Sequence, residues 1–119
     1  MIMKPEELLA LIAQSFEVAR IGHWSTLSYA EHKTLCRYYN EISELTDSLV
    51  ESYFGVVGKR LPLMIPSASL TPMKPYFSNL RKTIMENRGA FGTENTEIQN
   101  IVDEVLGLID DTQYLLTLS

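Results

Sequence analysis

A chain of 119 residues, 45% hydrophobic and 21% charged, has enough apolar side chains for one folded core and no room for a second catalytic domain. Ten Lys and Arg against fifteen Asp and Glu leave a net charge of −5, which repels phosphate backbones and argues against nucleic-acid binding unless basic residues gather on one face. The candidate group, Lys74, Arg81, Lys82 and Arg88, has no interleaved aromatic residues and reads as a solvated helix face.

At the N-terminus Glu6 and Glu7 interrupt the apolar run that a signal peptide would need, and no stretch of 18 apolar residues offers a membrane span. The single Cys36 has no partner for an internal disulfide and reads as an inert thiol. A free thiol without an export signal fits a reducing compartment, so a cytoplasmic location is expected and no membrane role.

Pro5 can occupy a first helical turn, and Leu8, Ile12, Phe16, Ala19 and His23 follow at steps of three and four, predicting a helix over about 5–24. A break over Ser25 to Ser28 precedes the longest pattern, in which Leu35, Tyr39, Ile42, Leu49 and Tyr53 mark one stripe of a helix over about 29–54. Gly55, Gly58, Pro62 and Pro66 then turn the segment from Gly55 to Ser69 into a connection.

Thr71 and Pro72 suit a cap and first turn for a third helix over about 72–88, with Met73, Phe77, Leu80 and Ile84 on its apolar face and Gly89 as a left-handed C-terminal cap. Thr96 and Gln99 have capping-box spacing before a fourth helix over about 96–118. Its buried stripe is Ile98, Ile101, Val102, Val105, Leu108, Ile109, Leu115 and Leu116.

These elements predict one all-α domain spanning 1–119, a four-helix bundle made of two helical hairpins. A 15-residue link reaches roughly 50 Å when extended, whereas a 26-residue helix is roughly 39 Å long. A central crossover, the ferritin-like connection, is therefore within reach, and a simple up-down-up-down path stays open.

Four side chains in the first half carry candidate chemistry. His23 continues the apolar face of the first helix, His32 begins the second, and Asp47 and Glu51 stand one turn apart later in that helix. Carboxylates at i and i+4 project from one side of a helix, and imidazole adds affinity for iron, zinc or manganese. On a helical wheel Asp47 and Glu51 fall about 60° and 100° round from His32, but roughly 22 Å separates His32 from Asp47 along the axis. One chain cannot join them. Two copies of the second helix packed antiparallel about a two-fold axis can, with Val50 and Phe54 as the apolar seam.

The stretch His23-Trp24, Tyr29-Ala30-Glu31-His32 and Asp47-Ser48-Leu49-Val50-Glu51 resembles the mini-ferritins, or Dps-like proteins, over about residues 8–54. The resemblance implies a ferritin-like homodimer with ferroxidase sites between subunits, His23, His32, Asp47 and Glu51 as ligands of one or two irons, and Trp24 beside the site. No further catalytic group is implied beyond these ligands. In this chain the loop between the histidines is three residues shorter than is usual in the family, and Cys36 replaces an acidic residue that many members carry. The connection from Gly55 to Ser69 leaves little room for the family's short crossover helix, which argues against a storage cage. The lysine-rich tail used by relatives for DNA is represented only by Lys4.

Two readings of function follow. In the first the chain is an iron-binding protein of ferroxidase type, capturing Fe(II) with imidazole and carboxylate and passing electrons to peroxide or oxygen. In the second it is a non-enzymatic helical interaction protein, similar in build to small ferritin-like phage or viral proteins, that binds another protein without functional metal.

Overall fold

The structure is a computed structural model and describes residues 2–119. Four helices make up the described chain: α1 Pro5–Ser25, α2 Tyr29–Val57, α3 Met73–Asn87 and α4 Thr96–Leu116. No strand occurs among the described residues. The all-helical bundle expected from the 3.6-residue periodicity is therefore present.

Local chemistry sets most of the helix ends. Glu7 Oε1 accepts the Lys4 backbone N–H at 2.8 Å ahead of Pro5, covering a donor that has no partner inside α1. Ser28 Oγ accepts from Glu31 N at 3.2 Å and starts α2 as an N-cap. Gly58, at φ +73°, closes α2 with its N–H on Phe54 O at 2.9 Å, a left-handed position that costs glycine nothing. Helix α2 thus runs through Gly55 and stops three residues later than the spacing predicts.

Three caps differ from expectation. Gly89 does not take the left-handed position; α3 instead tightens into a 3-10 turn, Arg88–Phe91, and the positive φ falls on Gly92 at +85°. The tighter turn puts Phe91 into the core, where it is 1% exposed. Thr96 and Gln99 do not form a capping box. Gln99 reaches back across the turn, donating Nε2 to the carbonyls of Arg88 and Gly92 at 3.0 and 3.1 Å and accepting from Arg88 Nε at 2.8 Å. Nor does Thr71 cap α3, whose N-cap position is Pro72.

The link over 58–72 leaves α2 at the end where α1 begins and returns along α1. Pro62, Met64 and Pro66 lie over Met3, Glu6 and Leu11, and Gln14 Nε2 donates to Ser67 O at 2.9 Å. Helix α3 then starts beside Gly22 and Ser28, where a Cβ at Gly22 would stand 2.8 Å from Met73 Sδ. It ends beside the start of α1, with Met3 N donating to Asn87 Oδ1 at 3.0 Å. Helices α2 and α3 are consequently parallel, and each packs antiparallel against both α1 and α4.

The core stripe is continuous. Leu8, Ile12, Leu35, Ile42, Leu49, Phe77, Ile84, Ile98 and Ile109 are at or near full burial. One polar pair lies within it: Tyr38 Oη and Ser15 Oγ meet at 2.8 Å, and the serine hydroxyl donates on to Ile12 O at 2.6 Å. Tyr38, one position before the expected Tyr39, is the fully buried ring of the two and sits edge-on to Phe77. Burial pushes its hydroxyl far above the ordinary tyrosine range, with the Ser15 hydrogen bond opposing.

Candidate functional site

The structure brings the two histidines together. His23 ends the buried face of α1, His32 opens α2, and their rings stack with centroids 3.7 Å apart and planes 18° from parallel. His23 Nδ1 lies 2.7 Å from the backbone oxygen of His32, and His32 Nδ1 lies 2.8 Å from that of His23. A carbonyl only accepts, so Nδ1 is the protonated nitrogen in both rings and Nε2 of the neutral ring keeps its lone pair. His23 O is one of the terminal carbonyls that α1 leaves without a helical partner, and His32 supplies one.

Aromatic residues extend the pair. Tyr39 meets the His23 ring at 73° and 5.3 Å, Tyr29 lies beside His32, and Phe16 packs edge-on to Tyr39. The Cys36 thiol, 3.7 Å from Tyr39 Oη, pushes that hydroxyl above its ordinary range. On the outer side Arg20, held by Glu17 through three hydrogen bonds, places its guanidinium 4.8 Å from the Trp24 ring centroid.

Asp47 and Glu51 stand elsewhere. Both are exposed and lie in the last third or so of α2. Asp47 edges a shallow cleft with Phe16 and Thr46, and Glu51 lies beside Phe54, Lys59 and Arg60. Among the described residues no three His, Cys, Asp or Glu side chains lie together to hold an ion. The nearly parallel imidazole planes also keep the two Nε2 lone pairs from converging on one ion. Within one chain these residues therefore form a histidine pair and two separate acids.

What the pair holds in place is the turn between α1 and α2. Trp24 at the end of α1, Leu27 on the turn and Tyr29 at the start of α2 are 63%, 105% and 74% exposed. Leu70 and Leu118 are exposed as well, next to the chain segments that meet Ser28 at this end of the bundle. The sequence signal for this patch is the presence of three large apolar residues in and on either side of the break in the helical pattern. The helical pattern itself says nothing about them, because no neighbour is fixed by it.

Charged residues of α3 and α4 are paired in ways the sequence leaves open. Arg81 meets Asp110 at 2.6 Å and Arg88 meets Asp103 at 2.8 Å, so half of the expected basic face is neutralised by α4. No helix among the described residues is long and apolar enough to cross a membrane.

A helical bundle with a clasped histidine pair and an exposed aromatic turn defines a class of structure rather than an activity. The chain belongs to a family of unknown function, DUF5856, whose model matches residues 23–116 and so takes in both histidines and the last three helices. It is similar to an uncharacterized 14.6 kDa protein from the mobD-ri intergenic region of Enterobacteria phage T4, 27% identical over 115 residues, which cover 97% of this chain and 89% of that protein. No solved structure matches.

Proposed function

We propose that this chain is a non-enzymatic helical interaction protein of phage type, which binds another protein through the turn between α1 and α2. The observation that carries the reading is the exposure of Trp24, Leu27 and Tyr29 at a turn fixed from within by the His23 and His32 rings. Trp, Tyr and Arg dominate the energetics of protein interfaces, and an anchor already immobilised loses little entropy on binding. Arg20 under Trp24 adds to that preorganisation. The similarity to a small phage protein supports the phage-type part of the reading.

Its test is a photo-crosslinking residue at position 27, introduced into the chain in its native cells. A discrete adduct is expected that excess wild-type chain competes away and a Trp24→Ser, Leu27→Ser chain does not. The same adducts from a control position such as Glu97 would end the proposal.

A second reading keeps the metal. What supports it is the tautomer: a histidine whose Nδ1–H is held by a carbonyl presents Nε2 in the form that ligates iron, zinc or manganese. The crossover connectivity is also that of ferritin-like bundles. Asp47 and Glu51 would then come from a two-fold mate, each ion taking one ring. Metal analysis with sedimentation separates the readings, since this one requires a dimer that loses near-stoichiometric metal on His32→Ala and on Asp47→Asn alike.

A further inference from the structure

A groove of about 520 Å³ runs between α2 and α4 on the side away from α1 and α3. Glu41, Glu44 and Ser48 form one wall, Glu104 and Asp111 the other, and Leu45, Leu108 and Gly107 lie between them. Among the described residues Arg37 alone answers these charges, 3.5 Å from both Glu41 and Asp111. The groove is acidic at its rims and apolar at its floor.

Gly107 is the independent observation. It sits in the middle of α4, where glycine weakens a helix relative to alanine. Gly22, in α1, is needed because Met73 and Leu35 fill the space of a Cβ, and Gly55, which also has open space, stands two residues before the end of α2 rather than in mid-helix. At Gly107 nothing among the described residues lies within 4 Å of that space, so their packing gives no reason for it. Its effect is to leave the floor of the groove open to close approach from outside.

We infer that this groove is a second docking surface, which receives a basic amphipathic helix of another protein, with one apolar side chain over Gly107 and Lys or Arg along both rims. Charge complementarity sets the choice of occupant. A second copy of the chain fits poorly, because its net charge is −5 and Arg81 and Arg88 already pair with Asp110 and Asp103. The inference does not depend on the aromatic turn.

The probe is a labelled helical peptide with one leucine flanked by Lys and Arg at spacings of three and four, titrated by fluorescence anisotropy. Binding is expected to weaken at least tenfold in Gly107→Leu, whose thermal midpoint should equal or exceed that of the wild type, and at least tenfold in Glu44→Lys, Glu104→Lys. Higher salt should weaken the wild-type complex, and amide shifts in NMR spectra should centre on Gly107 and Ser48. Unchanged affinity in Gly107→Leu, or equal binding of a peptide with the leucine replaced by serine, would overturn the proposal in favour of unspecific charge attraction. Loss of binding in Trp24→Ser, Leu27→Ser would move the peptide to the turn. Wild-type self-association abolished by Gly107→Leu would assign the groove to a second copy.

Discussion

His23 and His32 hold one another's main chain: each ring bonds the backbone oxygen of the other residue, and the two rings stack across the gap between α1 and α2. The arrangement is nearly symmetric in its bonds and unequal in burial, since His23 is 9% exposed and His32 only half-buried. Removing either ring strands a backbone carbonyl and opens a gap on the other ring. His23→Ala should cost about 2–3 kcal/mol and His32→Ala about 1–2 kcal/mol, measured by urea unfolding. Equal, negligible losses would show that the pair does not hold the turn.

The Ser15 and Tyr38 hydroxyls form a coupled pair in the core. Tyr38→Phe leaves Ser15 bonded to Ile12 O, so its cost should be about 1 kcal/mol. Ser15→Ala instead leaves the buried Tyr38 hydroxyl without that partner and should cost more, about 1–3 kcal/mol. A double-mutant cycle is expected to show coupling, because Ser15→Ala does less harm once the phenol is gone.

Alkaline pH should unfold the protein through Tyr38 and Tyr76. Burial raises both hydroxyls above the ordinary value of 10.0, so the folded state keeps protons that the unfolded state loses. The stability this represents is complete below about pH 10 and falls as pH rises beyond it, by about 1.4 kcal/mol per pH unit for each tyrosine. Tyr38→Phe should lower that slope by about 1.4 kcal/mol per pH unit in unfolding curves taken above pH 10.

Two helical glycines should respond in opposite directions. Gly107→Ala fills open space and should stabilise by about 0.5–1 kcal/mol. Gly22→Ala places a methyl group 2.8 Å from Met73 Sδ and 3.1 Å from Leu35 Cδ1, and should destabilise by about 1–3 kcal/mol as those side chains shift. Thermal midpoints of the two variants against the wild type are the check.

Polar contacts at the end of α3 should differ in weight. Gln99 is half-buried and ties three groups of the 3-10 turn to α4, so Gln99→Ala should cost about 1–2 kcal/mol. The Arg81 and Asp110 pair is well exposed, and Arg81→Ala should change stability by about 0.5 kcal/mol or less, vanishing at high salt.

The helices and most of the core were legible in the amino-acid order, because a period of 3.6 residues reports which face of a helix meets apolar neighbours. Met73, Phe77, Leu80 and Ile84 are buried as their spacing predicts. The choice of Tyr38 over Tyr39 was not legible, since adjacent positions differ by only 100° and the stripe accommodates either. The caps at Gly89, Thr71 and Thr96 failed for a related reason: cap residues compete with tertiary partners, and Gln99 found better ones on Arg88 and Gly92.

For the candidate site, the sequence alone determined the residue types and the helical separation between His32 and the acids, because rise per residue is a local property. Only the tertiary structure decided that His23 and His32 stack as a clasp, that the link returns along α1, and that Gly107 lies in an acidic groove. Each of these depends on how helices distant in the chain come to face one another. Local periodicity says which side of a helix is buried, but not against what.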